Sequence, residues 1–321
     1  MKRWPHVFGR EALLLLMIIG VAAGFGFAKP GFLDPVNFAD RTRYWVETGL
    51  IAVPMTFIIA SGGIDLSVGS LLALAGIVAG VLHTRAGWSL PAVIAVALAT
   101  GMIGGLLNAA AIQLLRLPAL VVTLATLALY RGLAFGITGA RPISDWPESF
   151  TDWGSTGALS FGVRWGMPWS LLILLGWTAA GAVLFHRHTI GRHARQLGEN
   201  AGAARFAGIS PARTRFAIYG MSGLACGLAA VLWTARFATA HPGAAQGLEL
   251  DVIAVVVLGG TRITGGAGSV VGTFLGLVLL GLLRYGLDMN SVPQQDQTVV
   301  VGVLLVLIAA LNEAWAARSE R

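Results

Sequence analysis

The feature that most constrains this chain is a succession of apolar runs of membrane-crossing length joined by short polar connections. The runs lie near 11–28, 46–60, 66–83, 89–115, 118–138, 168–185, 216–234, 250–258, 269–283 and 297–312. A helix needs about 20 mostly apolar residues to cross the hydrocarbon of a bilayer. The pattern therefore predicts an all-α, polytopic integral membrane protein with about ten transmembrane segments, several of them short. Composition agrees, since 56% of the 321 residues are apolar, 12% are charged and 43 are glycine. The first run follows Lys2, Arg3 and Arg10 but shows no clear small-x-small cleavage site, so it reads as a retained first helix. We expect one transmembrane domain over 1–321.

Two stretches break the helical pattern. "SGGIDLSVGS", Ser61 to Ser70, and "LGGTRITGGAGS", Leu258 to Ser269, place glycine, serine and threonine where uninterrupted helix is the default. Unpaired backbone is not tolerated against lipid, so such breaks imply a protein-lined or watery setting. Asp65 precedes Leu66 as an N-cap would, and Ser269 stands in the same relation to Val270. Each break thus ends one short helix and begins another, presenting half-helix termini to a solute. For Asp65 two readings remain open: a cap near the cytoplasmic face, or a group in the pathway. On this pattern Ser61, Gly62, Gly63, Asp65, Ser67, Gly259, Gly260 and Thr261 are candidate pathway residues, joined by Asn108, Thr123 and Thr126 inside later runs. The commoner role of Asn and Thr there is interhelical hydrogen bonding, and Arg131 near a span end would snorkel.

Loop charge sets the orientation. Phe185 to Arg215 holds six arginines against Glu199 alone, whereas Gly139 to Pro168 holds Arg141 and Arg164 against Asp145, Glu148 and Asp152. The positive-inside rule makes the loop at about 186–215 cytoplasmic and that at about 139–168 external. An even number of spans then puts both termini in the cytoplasm. Trp45, Trp88, Trp146, Trp153, Trp165 and Trp169 fall at or beyond the outer interface, as an aromatic belt would. The net charge of +7 accordingly serves orientation rather than nucleic-acid binding. Cys226 stands alone, which excludes a disulfide within the chain, and no metal-ligand spacing occurs. Glycine pairs at i, i+4 spacing (Gly20/Gly24, Gly76/Gly80, Gly101/Gly105, Gly132/Gly136, Gly223/Gly227, Gly272/Gly276) predict close helix packing.

The stretches "SGGIDLSVGSLLALAGIVAG", "LPALVVTLATLALYRGLA", "GENAGAARFAGI" and "LELDVIAVVVLGGTRITGGAGSVVGTFLGLVLLGLLRYGL" occur in that order between about Tyr44 and Leu311. They resemble the membrane permeases of ATP-binding cassette (ABC) importers for monosaccharides, in the branch of ribose, rhamnose and autoinducer-2 permeases. The resemblance implies a bacterial inner-membrane subunit forming the pathway with a second permease, as homodimer or heterodimer. It implies a periplasmic or lipid-anchored sugar-binding protein that delivers the solute, and a cytoplasmic ATPase that powers the step. The sequence agrees with that division, because no G-x-x-x-x-G-K-[ST] loop occurs and the lysines are Lys2 and Lys29. No cofactor is expected in this chain; ATP belongs to the partner.

"ENAGAARFAGIS" reads as a short helix, with Asn200 capping Ala201–Ala207, Gly208 ending it and Pro211 preventing continuation. It is similar to the coupling segment of these permeases, with Glu199, Asn200, Ala203, Ala204, Arg205 and Gly208 matching; the plainer alternative is a basic loop on anionic lipid headgroups. A rival class, the ion-coupled secondary transporter, also uses broken helices. Such a machine needs several buried acids, and the sequence offers Asp65 as the only acid well inside a span region. An integral membrane enzyme would need a His or carboxylate cluster that the sequence lacks.

Overall fold

A computed structural model of the chain describes residues 6–155, 157–159, 167–303 and 306. The helices are α1 (His6–Ala28), α2 (Pro35–Thr42), α3 (Val46–Ala60), α4 (Val68–Ala86), α5 (Leu90–Leu114), α6 (Ala119–Thr138) and α7 (Glu148–Ser155). They continue with α8 (Trp169–His186), α9 (Thr189–Glu199), α10 (Ala201–Phe206), α11 (Pro211–Phe237), α12 (Leu248–Leu258) and α13 (Val270–Met289), and residues 294–303 are also helical. A small antiparallel ribbon pairs β1 (Gly157–Leu159) with β2 (Met167–Pro168). Among the described residues seven helices are long and apolar enough to cross a membrane: the first over Glu11–Ala28, then α4, α5, α6, α8, α11 and α13. Both α3, of 15 residues, and α12, of 11, fall short because each runs into a break. The expected last segment lies beyond the described residues after 306, as do the side chains of Trp153 and Trp165.

At the centre stands α3, every residue of which is buried. It is apolar all round, as a helix surrounded by other helices must be. Pro54 removes one N–H from its ladder, leaving the carbonyl of Leu50 without its usual partner. Trp177 of α8 supplies the replacement, its Nε1 donating to the Leu50 carbonyl at 2.9 Å. Phe57 and Phe185 then meet edge to face at 4.9 Å, continuing the contact down the two helices.

Glycine decides the closest crossing. A Cβ on Gly101 or Gly105 of α5 would overlap backbone atoms of Gly223 or Tyr219, and one on Gly223 or Gly227 of α11 would overlap the backbone of α5. Gly272 and Gly276 play the same part between α13 and α12. Gly20, Gly24, Gly132 and Gly136 have no neighbour within 4 Å of such a Cβ, so these pairs do not pack helices within the chain as their spacing suggested. They sit on faces that point away from the bundle.

The Trp177 bond yields a test. Trp177→Phe keeps an aromatic side chain, though a smaller one, and leaves the buried Leu50 carbonyl unpaired, the latter a loss of about 1–3 kcal/mol. The detergent-solubilised protein should melt earlier, and Pro54→Ala should recover most of the loss by restoring an N–H to that carbonyl. An equal loss in the two backgrounds would show that the bond does not compensate for the proline.

Candidate solute pathway and docking junction

The first break is built from backbone turns followed by an extended climb. Ser61 and Gly62 close α3 through bonds to Phe57, Ile58 and Ile59, Gly62 takes a φ of +81°, and Gly63 N donates to the Ile58 carbonyl at 3.0 Å. The chain then enters the bundle, where Asp65 is 1% exposed and Ser67 fully buried. Asp65 is not the helix cap expected from sequence. Helix α4 starts at Val68, and Asp65 Oδ1 instead accepts from the N–H and hydroxyl of Ser67, at 3.0 and 2.6 Å. The cause is the two-residue reach of an aspartate side chain, which here closes a turn ahead of the helix.

Around this turn lies a buried polar network from three helices, α5, α6 and α11. Asn108 Nδ2 donates to Ser67 Oγ at 2.8 Å, Tyr130 Oη donates to the Gly104 carbonyl at 2.9 Å and to Asn108 Oδ1 at 3.3 Å, and Ser222 Oγ donates to Asp65 Oδ2 at 3.4 Å. Thr123 Oγ1 donates to the Ile64 carbonyl at 3.1 Å, while Thr126, among the described residues, bonds along its own helix, to the Thr123 carbonyl. Asn108 and Thr123 are thus brought to the break; Thr126 is not. Among the described residues no cation forms an ion pair with Asp65.

A second irregular segment, unmarked by the sequence reading, reaches the same place from the other end of the bundle. Residues 238–247 join α11 to α12, with positive φ at Ala238, Ala245 and Gly247. Arg131 holds this segment, its NH1 donating to the carbonyls of Pro242 and Ala244 at 2.7 Å each. Gly69, in the first turn of α4, has no side chain because a Cβ there would strike the Ala245 carbonyl and Glu249 Oε2. Non-helical backbone therefore runs from 238–247 past Gly69 to Asp65 and down to Gly62.

The break at Leu258–Ser269 behaves differently from the first. Gly259 is packed against Gly272 and Thr273, Gly260 turns at a φ of +86° and Thr261 is buried, but Arg262, Ile263 and Thr264 emerge at the end of the bundle carrying the arginine-rich helices. Ser269 does cap α13, accepting from Gly272 N at 3.0 Å. The break is therefore enclosed by protein except at residues 262–264.

The two breaks meet through α9. Gly266 N donates to the carbonyl of Ala60 at 2.9 Å, filling a carbonyl left open at the end of α3. Gly198 of α9 is wedged into this bond: a Cβ there would overlap the Ala60 carbonyl and the Gly266 nitrogen. A Cβ on Gly265 would in turn lie 3.0 Å from Gly62 N and 2.9 Å from Gly198 Cα. Gly198 was overlooked in the sequence, where its only signal is a glycine inside a helical stretch. Arg195 fixes the same helix to α8, donating to the Phe185 carbonyl at 3.1 Å with its guanidinium 4.8 Å from the Phe185 ring centre.

Beside this junction stands α10, capped by Asn200 Oδ1, which accepts from Ala203 N at 2.9 Å, and ended by Gly208 at a φ of +80°. Ala204 faces inward, packed with Leu197 and Ile209, so it is not the docking residue that the sequence suggested. Glu199, Ala203, Arg205 and Gly208 are exposed, together with Phe206 at 97%. Phe206 lies between Arg205 and Ala207 at the end of α10, so a whole apolar ring is left uncovered there. Two acids also prove more buried than expected: Glu47 pairs with Arg236 at 3.0 Å and Asp251 with Arg284 at 2.5 Å. Asp65 is therefore not the only inward acid, but the other two are each neutralised by an arginine.

Known proteins show the family. The family model described as branched-chain amino acid transport system / permease component matches residues 42–309. The chain belongs to that family. The autoinducer 2 import system permease protein LsrD of Klebsiella pneumoniae subsp. pneumoniae is 36% identical over 316 residues, covering 95% of this chain and 93% of that protein. LsrD of Salmonella typhi is 35% identical over 314 residues, covering 96% and 92%, and LsrD of Photorhabdus laumondii subsp. laumondii 35% over 312, covering 95% and 90%. No solved structure matches. The chain is thus a multi-pass permease subunit of an ABC importer, not itself an enzyme, and nothing among these relatives favours the ion-coupled alternative.

If the breaks serve transport, Gly63→Leu and Gly260→Leu should abolish solute uptake while membrane insertion persists. Leucine would drive into the Tyr219 hydroxyl in the first and adopt a forbidding φ in the second. Asp65→Asn should cost about 1 kcal/mol, because the amide oxygen can still accept from Ser67. Normal uptake in both glycine variants would remove the breaks from the mechanism, and loss of uptake in a well-folded Asp65→Asn would assign the carboxylate charge a role.

Proposed function

We propose that this permease carries autoinducer 2 or a related monosaccharide-like solute across the bacterial inner membrane, along the non-helical line from 238–247 past Gly69 to Asp65 and Gly62. The names of its relatives support the solute, and a pathway where Asp65 is joined by Asn, Ser, Thr and backbone groups offers the mixed donors and acceptors that a neutral polyhydroxylated molecule needs. The arginine-rich end is cytoplasmic, with both termini on that side, and the Trp-bearing end faces the periplasm. A binding protein delivers the solute there, and a second permease subunit, identical or different, completes the pathway within the lipid.

Energy enters from a separate ATPase subunit that holds ATP and docks at α10, where Glu199, Asn200, Ala203, Arg205 and Gly208 surround Phe206. The observation that carries this reading is the junction of Ala60, Gly198 and Gly266: whatever moves α9 moves the ends of both breaks. Coupling of this kind requires a contact whose geometry differs between two states. Phe206→Glu should leave insertion and nucleotide binding by the ATPase intact yet weaken assembly and stop uptake, because a charge replaces an apolar anchor. Ala203→Glu should act likewise, whereas Ala204→Glu should also destabilise the permease by burying a charge against Leu197 and Ile209. Wild-type assembly and uptake in Phe206→Glu and Ala203→Glu would place the docking surface elsewhere.

A further inference from the structure

Helix α11 presents two buried hydroxyls to the first break, three residues apart and so on one helix face. Ser222 meets Asp65, at 3.4 Å from Oδ2. Tyr219 meets Gly63: a Cβ on that glycine would lie 2.9 Å from the Tyr219 hydroxyl, so the phenol occupies the space that glycine leaves. Tyr219 is 2% exposed, and its hydroxyl oxygen is buried without a hydrogen-bond partner among the described residues. The helix cannot withdraw it, because Gly105 of α5 lies directly against the Tyr219 carbonyl. A buried hydroxyl left unpaired destabilises the folded state, and removing it without a functional penalty should be neutral or favourable.

We propose that the Tyr219 hydroxyl is a solute-binding group of the pathway, exchanging hydrogen bonds with a hydroxyl of a polyhydroxylated solute when the first break and α11 separate. The inference rests on the pathway reading above and adds a specificity residue to it. With Ser222 and Asp65 it forms a row of donors and acceptors along the climb from Gly63 to Asp65. An uncharged sugar-like molecule is recognised by such a row, and an analogue lacking the matching hydroxyl is rejected by it.

The test is Tyr219→Phe in the full importer, reconstituted in liposomes with its ATPase and binding protein. Uptake of labelled autoinducer 2, D-ribose and L-rhamnose is measured beside the melting temperature of the purified permease. The expected result is a melting temperature equal to or above that of the wild type, with KM for the transported probe raised roughly three- to tenfold. A hydroxyl with only a structural role would instead lower the melting temperature and leave KM unchanged. Unchanged uptake kinetics in Tyr219→Phe, with wild-type uptake of a probe intact, would overturn the proposal alone. A wild-type importer that takes up none of the three would overturn the solute reading and this inference with it.

Discussion

The bond from the Gly266 N–H to the Ala60 carbonyl, with Gly198 pressed against it, is the contact on which the rest of the arrangement depends. Three segments far apart in sequence touch there through backbone alone: the end of the buried central helix, the tip of the second break and the helix that precedes α10. Backbone contact of this kind has no side chain to rearrange, so displacement of one segment must displace the others or break the bond. Packed elements with two discrete arrangements transmit change where deformable ones absorb it.

The two ends of the bundle are held by different forces. Toward the Trp-bearing end, ion pairs join separate elements: Arg41 to Asp288, Glu47 to Arg236 and Asp251 to Arg284. Arg236 is further enclosed by the rings of Tyr44, Trp233 and Phe237. At the other end none of the described ion pairs involves the six arginines between 185 and 215. Those side chains serve carbonyls instead, as Arg195 does at Phe185, or remain exposed. One end is thus closed by charge pairs, of which the buried Glu47–Arg236 pair would be costly to break by removing a single partner. The other leaves charge and the apolar Phe206 available to a partner.

Much of this was legible in sequence, for reasons that differ by element. Long apolar runs fixed α4, α5, α6, α8, α11 and α13, because length and hydropathy are local properties. Asn200 and Ser269 were identified as caps since a cap needs only its neighbours within three residues. Asp65 failed that reasoning, because its carboxylate was committed to Ser67 and to Ser222, 157 positions away. Ala204 failed likewise: which face of a short helix turns inward depends on Leu197 and Ile209, not on the helix itself. The segment 238–247 and Gly198 went unseen because close backbone approach leaves no signal beyond a glycine or two.

The central claim, that the ends of both breaks and α9 move as one unit, is tested most directly by hydrogen–deuterium exchange on the assembled importer with and without ATP. Peptides covering 57–64, 196–200 and 262–268 report the three segments separately. The account predicts that all three change protection together and in the same direction when nucleotide binds. A change confined to 196–200, with the other two peptides unaltered, would contradict it.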